Sequence, residues 1–123
     1  MRTNVILYSA FVCFFVSGCA VLDNSEGSHL LNGPAYSAIS SSQVSIFLQK
    51  PNFSYATVGI VEASGMGLTE KQDMQLAVAA LKREAASIGA NGVIIVQSSQ
   101  DIAGISKHGT STERRLKGIA IRY

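Results

Sequence analysis

Between Thr69 and Gly92 the chain carries a start signal, an apolar stripe and a stop signal for one α-helix, and this stretch limits what the rest can fold into. Thr69 with Gln72 three residues on reads as a capping box, in which the hydroxyl takes an orphan amide and the glutamine side chain reaches back to the cap. Met74, Val78, Leu81, Ala85 and Ile88 fall three or four apart, so the spacing predicts a helix over 70–88 with one apolar face. Gln75, Lys82 and Arg83 lie off that stripe, on the side facing water. Glu70 and Asp73 in the first turns, with Lys82 and Arg83 towards the end, complement the helix dipole. Gly89-Ala90-Asn91-Gly92 ends the helix, because Gly89 takes a left-handed C′ conformation that a side chain would resist.

The segments around this helix read as strands. Val44, Ile46 and Leu48 alternate with Ser45, Phe47 and Gln49, the period of a strand with one buried face, and Lys50-Pro51-Asn52 ends it. Tyr55 to Glu62 is rich in β-branched and aromatic residues and is expected to pair with the first strand as a hairpin. Ala63 to Gly67 has the composition of a flexible turn. Val93 to Val96 is a short continuous apolar run, expected as a central strand of undetermined direction. Gln97 to Arg115 is polar and reads as a long exposed loop, and Leu116 to Tyr123 as a last strand. The fold class is therefore α+β: a small ββαββ domain over residues 44–123, with one helix packed on a short sheet.

Upstream, an apolar run from Val5 to Val16 leads into Ser17-Gly18-Cys19, with Arg2 as the sole charge before Asp23. A basic start, an apolar segment and a small-residue cleavage site follow in the order a secretory signal requires. At a rise of about 1.5 Å per residue, this run falls well short of the roughly 30 Å needed to span a bilayer. Val16-Ser17-Gly18-Cys19 resembles the lipobox of bacterial lipoproteins. The resemblance implies cleavage before Cys19, thioether lipidation of its sulfur, and removal of residues 1–18 with Cys13. An ordinary secretory signal with an accidental cysteine is the plainer alternative. One acyl chain holds only marginally and two or more hold stably, so the expected product stays on a membrane without spanning it. Residues 19–43 then read as the lipidated N-terminus and a flexible tether, reaching about 25–30 Å. Ala20 follows Cys19 where Asp favours inner-membrane retention in enterobacteria, so the family pattern points to the outer membrane, facing the periplasm, in a Gram-negative source.

Without Arg2, nine Lys and Arg face eight Asp and Glu, which is no charge excess of the kind nucleic-acid binding uses. With Cys19 acylated and Cys13 removed, no thiol is left for a disulfide. The two histidines, His29 and His108, have no nearby ligand at zinc-site spacing, so no metal or other cofactor is expected. Asp101, Ser106 and His108 bring triad residue types close in sequence without the strand–helix elbow such a site needs, so no catalytic residue is assigned. Gly65-Met66-Gly67 before a helix suggests an anion site but completes neither a dinucleotide nor a phosphate-loop motif. Lys107, His108, Arg114, Arg115 and Lys117 make the loop basic, as a solvated charge run or a surface for lipid phosphates or an acidic partner.

Tyr55-Ala56-Thr57-Val58-Gly59-Ile60-Val61, then Leu81-Lys82-Arg83-Glu84-Ala85-Ala86 and Ile88-Gly89-Ala90-Asn91-Gly92-Val93-Ile94-Ile95, resemble the RcsF and YbjQ group of small α+β domains over about residues 44–96. The RcsF side implies an outer-membrane lipoprotein that senses envelope damage through protein partners, in a fold held by disulfides. The YbjQ side implies a soluble oligomer with a possible metal site. The expectation is a non-enzymatic, membrane-anchored envelope lipoprotein that binds another envelope protein as a sensor or accessory. The alternative is a tethered small-ligand or metal-binding oligomeric domain.

Overall fold

A computed structural model describes residues 25–33, 35–106 and 109–123. The expected signal segment 1–18, its flank Val16-Ser17-Gly18 and the expected lipidation residue Cys19 lie outside the described residues. In chain order the elements are β1 (Ser25–Leu31), a 3-10 turn (Ser41–Gln43), β2 (Ser45–Phe47), β3 (Ala56–Gly67), α1 (Glu70–Ser87), β4 (Gly92–Ser106) and β5 (Gly109–Arg122). The strands form one mixed sheet in the order β1-β3-β5-β4-β2, antiparallel throughout except where β2 runs parallel to β4.

The expected α+β class holds, with α1 packed on one face of the sheet, but five described strands replace four. Residues 25–31 are no tether. They form an edge strand in which Ser25 to Leu31 pair with Gly65 to Gly59. Two side-chain contacts to α1 support it: Arg83 Nη2 donates to Ser25 Oγ at 2.8 Å, and His29 Nδ1 lies 2.7 Å from Glu84 Oε2. The expected hairpin between the first two sequence-predicted strands is not made, since β2 joins β4 at one edge while β3 lies between β1 and β5. Lys50-Pro51-Asn52 follows β2 as expected, but the chain then crosses to the far side of β5 and β4. Ala63 to Gly67 continues β3 and is not a turn, and Gln97 to Arg115 is mostly a long antiparallel hairpin and not a loop.

The helix begins and ends as its sequence dictates. Thr69 Oγ1 accepts from the Gln72 amide at 3.1 Å, while Gln72 Oε1 accepts from Leu68 N, one residue earlier than a standard capping box. At the other end Ala90 N donates to Ala85 O and Gly89 N to Ala86 O, the paired bonds of a Schellman motif, with Gly89 at φ +76°. The buried face is turned by one residue in its first half. Asp73 and Ala77 are buried where the stripe pointed to Met74 and Val78, which are half-buried on its flank. A side chain on Gly65 of β3 would collide with the α1 backbone at Asp73 O and Ala77 N, so glycine there lets the helix lie close over alanine. Around this contact the core gathers Val58, Val61, Leu81, Ile88, Val93 and Leu116. Burying each large side chain contributes about 1.5–3 kcal/mol.

Asn91 of the Gly89-Ala90-Asn91 segment pins the chain's last residue. Its side chain donates to Tyr123 O at 2.8 Å and accepts from Tyr123 N at 3.0 Å, while Arg122 Nη1 donates to Gly89 O. The stretch that most marks the family resemblance thus serves as scaffold. It closes the helix and locks β5 in register.

Candidate functional site

Pairing across the sheet sorts its side chains into two faces, because residues opposite one another in a ladder point the same way. Val61, Ala63 and Gly65 of β3, level with Gly118, Leu116 and Arg114 of β5, face α1. Their neighbours Glu62 and Ser64, with Arg115 and Lys117, face the other way, together with Glu26 and Ser28 of β1 and Gln97, Ser99 and Asp101 of β4. No described element covers this second face. At one end it is capped by an aromatic group, in which the Phe53 and Tyr123 ring centres are 4.7 Å apart and Phe47 meets both edge-on. Along the rest it is open.

The open part forms a shallow concavity of about 500 Å³ floored by β1, β3, β5 and β4. Its charged lining is Glu26, Glu62, Asp101 and Glu113 against Arg115 and Lys117, an acidic surplus of two in a chain of formal charge +2. Lys117 Nζ lies 3.6 Å from Glu62 Oε1, and Arg115 Nη2 lies 3.4 Å from Glu113 Oε2. Both pairs are open to water, where ion pairs contribute about 0–1 kcal/mol, so they hold little energy against a partner that would exchange them. A broad floor with a charged rim suits a macromolecular surface better than a small molecule, which is normally enclosed on most sides.

The opposite face holds a buried polar cluster. Asp73 is 0% exposed, and its Oδ2 accepts from Thr112 Oγ1 at 2.6 Å and from Gln100 Nε2 at 2.9 Å. Arg114 Nε stands 3.7 Å from Oδ1, too far for a hydrogen bond, and neither of these two buried atoms has a hydrogen-bond partner among the described residues. Burial pushes the Asp73 carboxyl up. The Thr112 and Gln100 donors, then the Arg114 charge and the Met74 amide, outweigh it and hold the group below its usual value of 3.8. With its donors drawn from β4 and β5, the cluster ties the start of α1 to the hairpin. Its role is structural.

The residues weighed from sequence separate in space. His29 sits on β1 against Glu84, and Asp101 is exposed on β4 opposite Glu113. Ser106 ends β4 opposite Gly109, while Lys107 and His108 lie outside the described residues. Of the basic set, Arg114 turns to Asp73 while Arg115 and Lys117 lie on the open face, so these three are not one patch. Gly65-Met66-Gly67 is strand and offers no anion loop. Among the described residues no three His, Cys, Asp or Glu side chains gather as a metal site. Sequence reasoning missed the open face itself and Asp73. The alternation of Glu62 and Ser64 with Val61 and Ala63 continues the period-two signal past Glu62 and was the available clue to both the longer strand and its polar face.

No protein-family model matches the chain, and no curated protein matches it. Among solved structures the fold is similar to the crystal structure of a Francisella virulence factor, FvfA, in its orthorhombic form. The TM-score is 0.58 at 21% identity, covering 80% of this chain and 99% of that one. At this identity the likeness concerns the fold alone.

Proposed function

We propose that this protein is a non-enzymatic lipoprotein of the bacterial cell envelope that binds another envelope protein through the uncovered face of its sheet, as a sensor or assembly accessory. Cleavage before Cys19 removes residues 1–18, and the lipid on Cys19 holds the domain at the outer membrane, facing the periplasm, in a Gram-negative source. The RcsF side of the resemblance of residues 44–96 implies the same class of activity, without the disulfides that hold the RcsF fold. The observation that carries the binding reading is the bare face: four strands present Glu26, Glu62, Asp101, Glu113, Arg115 and Lys117 in one broad concavity with no described layer over them. A partner with a basic-weighted, partly acidic surface complements this pattern, and charge matching of that kind sets specificity and association rate.

A photo-crosslinking residue placed at Ser64 or Ser99, on the open face, is expected to capture one discrete envelope protein in intact cells. The same residue at Gln75, exposed on α1, is expected to capture none. Equal capture from both faces, or none from the open face, would remove the basis for the proposal.

A further inference from the structure

The open face is not uniform along its strands. Leu30 pairs with Ile60, Ile60 with Ile119, Ile119 with Ile94 and Ile94 with Phe47, so one apolar row crosses all five described strands. Its Phe47 end lies with the aromatic group, and Ile94 there is buried, whereas Leu30 is 72% exposed and Ile60 39%. The next row away from the aromatic group is Ser28, Glu62, Lys117 and Gln97, and after it comes Glu26, Ser64, Arg115 and Ser99. Glu113 and Asp101 stand one row further on. Glu62 and Glu113 are paired with Lys117 and Arg115, while Glu26 on β1 and Asp101 on β4 form no ion pair among the described residues. The face thus offers exposed aliphatic carbon at one end and, towards the other, an uncompensated carboxylate on each side.

The dimensions fit a helix. From β1 to β4 is three strand spacings, about 14 Å, against about 10–12 Å for an α-helix with its side chains. On β5, Glu26 is level with Arg115, four residues from Ile119, and Asp101 is level with Glu113, six residues from it, or about 13 and 20 Å along the strand. On a helix rising about 1.5 Å per residue those distances are about 9 and 13 residues, and positions four apart share one helix face. Other occupants meet the charge less well. A second copy would set the same acidic surplus against itself, and anionic headgroups and nucleic acid are repelled likewise. Residues 1–24 of this chain bring one basic side chain, Arg2.

We infer that the open face takes a basic amphipathic helix of the envelope partner, running along the strands, with aliphatic side chains on Leu30 and Ile60 and Lys or Arg about 9 and 13 residues away on Glu26 and Asp101. This rests on the binding reading above and adds the partner's chemistry. The apolar contact holds the helix, and the two free carboxylates set its direction, because a reversed helix would lay its cations on Leu30 and Ile60. Added salt slows association by screening the carboxylates.

The full chain with a photo-crosslinking residue at Ser99 is made in intact cells, as it stands and with Glu26→Lys and Asp101→Lys together, Leu30→Ser or Gln75→Lys added. All four side chains are exposed, so each purified chain is expected to melt with its parent. Glu26→Gln with Asp101→Asn removes the charges at constant shape and replaces the double reversal if that unfolds the chain. Capture is expected to fall about tenfold in the double reversal and about fivefold in Leu30→Ser, and to hold in Gln75→Lys. Mass spectrometry of the crosslinked peptide is expected to find a segment of another protein with Lys or Arg about 9 and 13 residues from an aliphatic pair. Undiminished capture in the double reversal, or an acidic peptide from another protein, overturns this inference alone. A peptide from this chain itself, or no capture from Ser99 in the parent, removes the binding reading and the inference with it.

Discussion

Replacing Asp73 by alanine should be among the most costly single changes in this domain, although a charged residue in a first helical turn ordinarily sits in water. The carboxylate is 0% exposed and Arg114 beside it 18% exposed. Its removal strands the Thr112 hydroxyl, the Gln100 amide and the Arg114 guanidinium against a gap. Breaking a buried charged pair costs about 3–5 kcal/mol, and each hydrogen bond to a charged group contributes about 1.5–3 kcal/mol, terms that do not simply add. Arg114 keeps some access to water, so the expected loss is about 3–4 kcal/mol. For a domain of this size that lowers Tm by about 12–30 °C. Thermal and urea unfolding followed by circular dichroism measure it, and Asp73→Asn, which keeps shape and an acceptor, should lose less. Because the folded carboxyl titrates below the unfolded one, its contribution is fully present above about pH 4 and fades as pH falls through the folded value. The gap between wild type and Asp73→Asn should be constant from about pH 5 to 7 and narrow below about pH 4. An Asp73→Ala protein that melts within about 3 °C of wild type would refute the reasoning, since that shift corresponds to well under 1 kcal/mol.

Two further changes test the helix ends by the same melts. Gly89→Ala forces a side chain into φ +76° and against Ser37 O, 2.6 Å from the added carbon, so a loss of about 2 kcal/mol or more is expected. Thr69→Ala removes the cap on Gln72 N and should cost about 1 kcal/mol, with Thr69→Ser restoring most of it.

The helix and its two ends were legible because every signal for them is local: the cap, the period and the glycine lie within one stretch. The strands were legible only where one face is apolar. Val93 and Ile94 announced β4, whereas Gln97 to Ser106 and Gly109 to Arg115 are largely polar and read as loop until their pairing is known. Ser25 to Leu31 has no alternation. It is a strand because β3 offers it a backbone edge and α1 offers Arg83 and Glu84. The one-residue rotation in the buried face of α1 has the same origin, since Asp73 is buried by donors 27 and 39 residues away. The candidate face was invisible for a related reason: Glu26, Glu62, Asp101, Arg115 and Lys117 come from four strands and meet only through register. Of the residues singled out beforehand, Arg115, Lys117 and Asp101 reach that face, and His29 serves β1 instead.

The central claim is that Cys19 is the first residue of the processed protein and carries the acyl chains that hold the domain on a membrane. Mass spectrometry of the N-terminal peptide, recovered from the membrane fraction of cells making the full chain, measures this directly. The account predicts a peptide that begins at Cys19 and bears diacylglycerol on its sulfur, and a Cys19→Ser chain that leaves the membrane fraction. A mature N-terminus at any other residue, or an unmodified Cys19 on a protein that still sediments with membranes, would contradict it.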